Sequence, residues 1–210
     1  MKQQIEIETW KRNKQFKFFS NFMNPYASGS LILNVDTIVK YCKNTKTSFY
    51  GVLTFLVLKT INEIDEFKYV LEDNKVFKYD KINTSISVLT KDNQINFTRT
   101  IEYNDFKTFI NSFIKLKQEA ENDQIQKYEK DYNKCYISCT PWMRVTSVSN
   151  AMNYDIKDSI PRIFWGKYFI ENNKYMIDLS IQFNHAFQDG YHIGLFQNNI
   201  QKYINSFKGE

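Results

Sequence analysis

The stretch KYMIDLSIQFNHAFQDGYH, residues Lys174 to His192, decides more about this chain than any other. Period-two alternation puts Tyr175, Ile177, Leu179, Ile181, Phe183 and His185 on one face, and Met176, Asp178, Ser180, Gln182 and Asn184 on the other, because successive side chains of a strand point to opposite sides of the sheet. The pattern predicts a long strand with one apolar face that other elements must cover. His185 ends that face, and alternation alone reads it as a hydrogen-bonded histidine at the rim of a core. The strand then enters Ala186-Phe187-Gln188-Asp189-Gly190, a tight turn with an acid and a glycine. The chain has only two histidines, His185 and His192, so any histidine-dependent chemistry uses one of them. With no cysteine near in sequence, two histidines fall short of a metal site's usual three or four ligands, and no metal is expected.

Outward from this strand, the run Arg162 to Ile170 precedes it across Glu171-Asn172-Asn173, a hairpin turn by composition. Further strands are predicted at Lys134 to Ser138 and Met143 to Val148. INTSISVLT and INFTRTI, between Ile82 and Ile101, read as a hairpin around Lys91-Asp92-Asn93. Helices are predicted at Asp36 to Asn44, at Tyr50 to Ile64 (apolar on most faces and therefore buried), at Asn104 to Asn122, and from about Ile193 to Phe207. Helices and strands in this irregular order, without βαβ alternation, imply an α/β protein of the two-layer α+β kind: a large mixed sheet with helices packed on one face.

Composition sets the outer limits. The chain has 210 residues, 42% hydrophobic and 17% aromatic, with only 6 Gly and 3 Pro, which excludes disordered and low-complexity classes. No repeat or Pro/Gly-rich linker divides it, so one domain over 1–210 is expected. The formal net charge of +5 suits an anionic ligand and does not by itself argue for nucleic acid. Three cysteines, Cys42, Cys135 and Cys139, are too few and too irregular for a disulfide framework and point to a reducing cytoplasm. The opening MKQQIEIETW lacks the apolar core of a signal peptide. The longest apolar run, Val52 to Leu58, is broken by Thr54 and stopped by Lys59, so no membrane span is expected.

The stretch Gln182-Phe183-Asn184-His185-Ala186-Phe187-Gln188-Asp189-Gly190-Tyr191-His192 resembles the active-site signature of the chloramphenicol acetyltransferases. That pattern runs Gln, apolar, His, His, small, two variable residues, Asp, Gly, aromatic, His. Its shorter form is shared with the wider superfamily of CoA-dependent acyltransferases and peptide-synthetase condensation domains. Trp10-Lys11-Arg12, with Phe16 and Phe18-Phe19 after it, is similar to the family's N-terminal Trp-x-Arg segment. Ser48-Phe49-Tyr50, Glu66-Phe67, Ile137-Ser138-Cys139-Thr140-Pro141-Trp142 and Gly166-Lys167-Tyr168 resemble further family segments, so the likeness extends over nearly the whole chain.

The resemblance implies acetyl-CoA-dependent O-acetylation of chloramphenicol, with acetyl-CoA as co-substrate. It implies His185 as the general base and Ser138, four residues before Trp142, as the oxyanion donor. It implies an ion pair between Asp189 and Arg12 that supports the site, a CoA site near Lys167 and Tyr168, and a homotrimer with active sites at subunit interfaces. The roles suit the chemistry: acyl transfer from a thioester to a hydroxyl needs a proton acceptor and a donor for the charge that develops on the carbonyl oxygen. Each residue also has a plainer reading. Arg12 could be a surface charge beside Lys11 and Lys14, Ser138 an ordinary strand hydroxyl, and Lys167 and Tyr168 an exposed strand end.

The sequence departs from the family pattern mainly on the acceptor side. Asn184 stands where the first histidine of the family pair is usual, on the opposite face from His185. Phe164 replaces a threonine whose hydroxyl helps hold a water in antibiotic-modifying members; a phenyl ring has no such group. Val148 and Asn150 fall where larger apolar residues line the acceptor pocket, while Phe18, Phe19 and Tyr26 keep it aromatic. The sequence therefore leaves three further readings open: acetylation of a different small hydroxyl compound, a catalytically lapsed ligand-binding relative, and Cys139 as a nucleophile. The last is disfavoured because alternation turns Cys139 away from Ser138 and no histidine lies near it in sequence.

Overall fold

The computed structural model describes residues 1–122, 132–152 and 158–209. Its elements in chain order are β1 (Lys2–Gln4), α1 (Asn13–Ser20), β2 (Tyr26–Asn34), α2 (Asp36–Thr45), α3 (Phe49–Glu63), β3 (Tyr69–Glu72), β4 (Lys75–Tyr79), β5 (Asn83–Leu89), β6 (Ile95–Phe97), α4 (Phe106–Asn122), β7 (Lys134–Cys139), β8 (Arg162–Trp165), β9 (Phe169–Glu171), β10 (Lys174–Asn184) and α5 (Gly190–Ser206). Seven strands form one mixed sheet in the order β2-β10-β8-β7-β5-β6, with β9 also paired to β10; β1, β4 and β3 form a small separate sheet.

β10 lies inside the large sheet. It pairs antiparallel with β2 from Met176 opposite Asn34 to Asn184 opposite Tyr26, and on its other edge with β8 and β9. Beyond β8, β7 runs parallel to β8 and β5 parallel to β7, and β6 closes the edge antiparallel to β5. The odd-numbered side chains of β10, with Leu31, Leu33, Ile86, Ile137, Ile163 and Trp165 of the adjoining strands, join the buried faces of α2, α3, α4 and α5 in one core. α3 is apolar nearly all round because it is covered nearly all round, with every residue from Gly51 to Leu58 buried. Its first turn is capped by Ser48, whose hydroxyl accepts from the Gly51 amide. A second, smaller core holds Trp10, Tyr69, Val76, Ala186 and Phe187, and packs the N-terminal segment against the turn that follows β10.

The expected layers are present, as are the helices within a few residues of their predicted ends. α5 begins at Gly190, three residues before the periodicity announces it, because Asp189 caps it. The turn between β9 and β10 has Asn172 and Asn173 at φ 48° and 58°, the left-handed region that asparagine tolerates. Two strand predictions are corrected. Met143 to Val148 forms no strand: the chain leaves β7 at Thr140-Pro141, and the following segment lies across the sheet instead of in it, with Lys167 N donating to Met143 O at 2.7 Å. Arg162 to Ile170 is two strands, since Gly166-Lys167-Tyr168 interrupts the pairing with β10. The sequence reading also passed over α1, β2 and the small sheet.

Gly166 allows that crossing. A Cβ there would lie 2.5 Å from Met143 O and 2.6 Å from Val145 N, both main-chain atoms that cannot swing aside. Gly166→Ala is therefore expected to cost about 2 kcal/mol through overpacking, a fall of roughly 4–8 °C in Tm for a chain of this size. A calorimetric melt checks this; an unchanged Tm would show that residues 143–145 do not press on Gly166.

Candidate active site

β10 ends in a turn whose main chain is held at nearly every polar atom. Asn184 O accepts from the amides of Phe187 (2.9 Å) and Gln188 (3.1 Å), and His185 N donates to Pro25 O at 2.8 Å. Asn184 Oδ1 accepts from Ala186 N, while its Nδ2 donates to Asp158 O across the sheet edge. Asp189 ends the turn as the N-cap of α5, its Oδ1 accepting from Tyr191 N and its own amide donating to His192 Nδ1. Ala186 and Phe187 are anchored in the second core beside Trp10.

Arg12 closes this assembly from the N-terminal segment. Its Nη1 lies 3.0 Å from Asp189 Oδ2, its Nε donates to Ala186 O and its Nη2 to His185 O, both at 3.5 Å. Arg12 is buried, not the surface charge of the plainer reading. Burial alone would raise the Asp189 pKa. The Arg12 hydrogen bond, the nearby His192 and the Tyr191 amide outweigh it and hold the carboxyl below its ordinary 3.8. Glu66 behaves alike: desolvation opposes its charge, and Lys11 with His192 brings the net shift downward from 4.5.

His185 is half-buried beyond the end of the strand. Its ring lies parallel to Phe19, 4.1 Å between centroids at an interplanar angle of 6°, and meets the edge of Phe183 at 6.0 Å. Its Nδ1 is buried and has no hydrogen-bond partner among the described residues. The aromatic stack fixes the plane of the imidazole, and the clamped turn fixes its backbone.

Ser138 is elsewhere. Register places it beside Phe164 in β8, and Phe164 beside Ser180 in β10, all on the sheet face away from the helices. His185 lies five residues beyond Ser180, roughly 17 Å along the strand at about 3.3 Å per residue, and two strands to the side. One chain does not bring the two together. Lys167 and Tyr168 lie toward the Ser138 end of the sheet: Lys167 is exposed, and the Tyr168 ring packs edge-on at 5.4 Å against both Phe49 and Tyr175.

A family model for chloramphenicol acetyltransferase matches residues 2–201. The chain belongs to the chloramphenicol acetyltransferase family. It is 25% identical over 206 residues to a chloramphenicol acetyltransferase of Proteus mirabilis, covering 96% of this chain and 94% of that one. It is 28% identical over 208 residues to that of Staphylococcus aureus, covering 96% and 95%. A solved chloramphenicol acetyltransferase structure superposes with a TM-score of 0.89 at 27% identity, covering 97% of this chain and 100% of that chain. The protein is thus an acyltransferase of mixed α/β fold.

Within this chloramphenicol acetyltransferase fold, the acceptor-side candidates divide between the two locations. Phe18, exposed, and Phe19 lie at the His185 end, their rings 5.1 Å apart. Phe164 shares the face of Ser138, where the Asn150 amide donates to Gln182 Oε1 at 3.0 Å and Val148 is half-buried. Tyr26 is tied down, its hydroxyl donating to Asp158 O and accepting from Asp158 N. Cys139 faces Tyr50 in the core side of the sheet, and burial pushes its thiol up to about 12, which disfavours it as a nucleophile.

Sequence reasoning gave no role to Glu66 or Gln188. Both are buried, with Gln188 Nε2 donating to Glu66 O at 2.6 Å and Lys11 paired with Glu66 at 2.8 Å. An acid between Ile64 and Phe67 was the available signal, since an acid among apolar neighbours needs a partner. Among the described residues no group of three or more His, Cys, Asp or Glu could hold a metal ion, and no helix is long and apolar enough to cross a membrane.

Because the Asp189 and Glu66 pKa values are depressed on folding, the stability they contribute is complete above their ordinary values of 3.8 and 4.5, and is lost as pH falls through the lowered ones. The Asp189 side chain is 35% exposed, so its pair with Arg12 falls between the surface and buried ranges, about 2 kcal/mol. Asp189→Asn is expected to lower Tm at neutral pH and to flatten the decline of Tm below about pH 4. Melts across pH 2.5–7 check this, and a variant profile parallel to the parent would contradict it.

Proposed function

We propose that the chain is one domain over 1–210 that transfers the acetyl group of acetyl-CoA to a hydroxyl of chloramphenicol, with His185 as general base. The observation that carries this reading is the half-buried imidazole at the end of β10, held flat on Phe19 above a turn that Arg12 clamps, in a chain that matches the family over residues 2–201. In this reading His185 takes the proton of the attacking hydroxyl, and a new C–O bond forms at the thioester carbon. The Ser138 hydroxyl donates to the oxyanion. When the C–S bond breaks, the proton held by His185 passes to the departing thiolate, so no acyl-enzyme forms. Lys167 and Tyr168 contribute to the CoA site. Phe18, Phe19, Tyr26, Val148, Asn150 and Phe164 shape the acceptor side.

The separation of Ser138 from His185 within one chain supports the homotrimer that the family resemblance implies, with a base from one copy facing the serine of its neighbour. We place the reaction in the cytoplasm, whose reducing conditions suit the free Cys42, Cys135 and Cys139. Phe164 favours a second reading, the same transfer to another small hydroxyl compound, because it puts a phenyl ring beside Ser138 where a hydroxyl could hold water.

A steady-state thiol-release assay with acetyl-CoA and chloramphenicol, with product mass, tests the reading. The expected result is acceptor-dependent release and a monoacetylated product; release only with other alcohols would move the function to those acceptors, and none with any would favour a lapsed binding protein. His185→Ala is expected to cut turnover by about 10²–10⁴, and Ser138→Ala by about 10² with little change in acetyl-CoA affinity. Near-normal turnover in either would remove that residue from its role. Phe164→Thr is expected to raise chloramphenicol turnover, read in the same assay.

A further inference from the structure

We propose that His192 is a positioning residue for His185, acting through a proton-dependent latch on the turn between them. This rests on the reading of His185 as the base.

The latch is built at one atom. His192 Nδ1 lies 3.1 Å from the Asp189 amide nitrogen and 2.9 Å from Asp189 Oδ1. The amide can only donate, so it needs a lone pair on Nδ1; the carboxylate can only accept, so it needs a proton there. A single nitrogen serves one or the other. With the ring neutral and its proton on Nε2, which points toward Glu66 Oε1 at 3.6 Å, Nδ1 accepts the Asp189 N–H and the turn is latched to the first turn of α5. With a second proton on Nδ1, that N–H faces the amide N–H, and Nδ1 turns instead to the Asp189 carboxylate. The carboxylate is then shared with Arg12 and the Tyr191 amide. Asp189 lies four residues after His185, and Arg12 also donates to His185 O, so a shift of the Asp189 carboxylate reaches the backbone of the base.

The position makes this unusual. Residue N3 of a capping box is ordinarily Glu or Gln, whose side chain accepts the N-cap amide without changing its state near neutral pH. Here N3 is His192, the side chain type whose charge changes in that range. Asp189 on its own helix and Glu66 from the short 3-10 turn after α3 favour the cation. Lys11 on Glu66 and Arg12 on Asp189, both from the N-terminal segment, oppose it. The Tyr191 ring packs edge-on at 5.5 Å, and Tyr69 lies near Lys11. Gln188 Nε2 on Glu66 O fastens the same turn to the same acid by a second route.

The test compares His192→Gln, which can accept the amide and cannot be protonated, with His192→Leu, which can do neither. In the thiol-release assay His192→Leu is expected to lose about tenfold in kcat with the acetyl-CoA KM unchanged, and His192→Gln to recover most of that loss. The acid limb of log kcat/KM is expected to steepen toward a slope of two in the parent and to fall with a slope of one in His192→Gln. Equal slopes, or parental kcat in His192→Leu, would overturn the proposal. If His192→Leu does not fold, ¹⁵N imidazole NMR of the parent protein decides without a variant or an acceptor. The Nε2–H tautomer is expected for His192 at pH 7.5, and a protonated Nδ1 at that pH would overturn the latch. A parent inactive toward chloramphenicol that shows the Nε2–H tautomer would count against the acceptor reading and in favour of the latch.

Discussion

The pairing of β10 on both of its edges is the constraint from which the rest of the molecule follows. Nine register pairs with β2 on one side, and β8 and β9 on the other, leave no freedom to slip. A shift of one residue would turn Ile177, Leu179, Ile181 and Phe183 out of the core and Asp178, Ser180, Gln182 and Asn184 into it. Fixed register means that the strand ends at a fixed place, and His185 is the next residue. The second face of β10 is also covered: Arg144 meets Asp178 at 2.6 Å while its guanidinium stacks on Phe169, and Asn150 meets Gln182. The polar residues on that face are therefore buried as well.

Electrostatics finish what the sheet begins. Strand pairing stops at Asn184, and from there to Gly190 the turn is secured by Arg12, Asn184, Glu66 and His192, with Arg12 reaching Asp189 across 177 residues of chain. The acids are each matched by a cation, Asp189 by Arg12 and Glu66 by Lys11, so the cost of burying charge is offset locally. Phe19 then adds a flat apolar wall against the imidazole. The proposed base is thus held by a strand, an ion pair and a ring stack acting on three different parts of the same residue.

Much of this was legible in the sequence, and the failures have physical causes. β10, the buried helix α3 and amphipathic α4 were readable because burial on one face or all round leaves a period in the chain. β2 was not: Tyr26-Ala27-Ser28-Gly29-Ser30 reads as a loop, and becomes strand only because β10 supplies its hydrogen bonds, with Gly29 admitting Ile193 of α5 at 3.3 Å from where a Cβ would stand. Met143 to Val148 carries strand-like residues, yet Met143 O is taken by Lys167 N and the segment presses on Gly166 instead of pairing in the sheet. The Arg12–Asp189 pair came from family resemblance, since nothing local links residues so far apart. Glu66 and His192 stood in family-like segments, but their partners were not readable, because those groups meet only after folding. The distance between Ser138 and His185 was beyond any sequence argument, as it follows from strand order.

The central claim is that a fixed imidazole lets the acceptor hydroxyl attack acetyl-CoA directly. Initial rates with acetyl-CoA and chloramphenicol varied together test it most directly. Double-reciprocal lines that intersect are predicted, because both substrates must be bound before either product leaves. Parallel lines would mean that the acetyl group rests on the enzyme between two half-reactions, and would contradict the account.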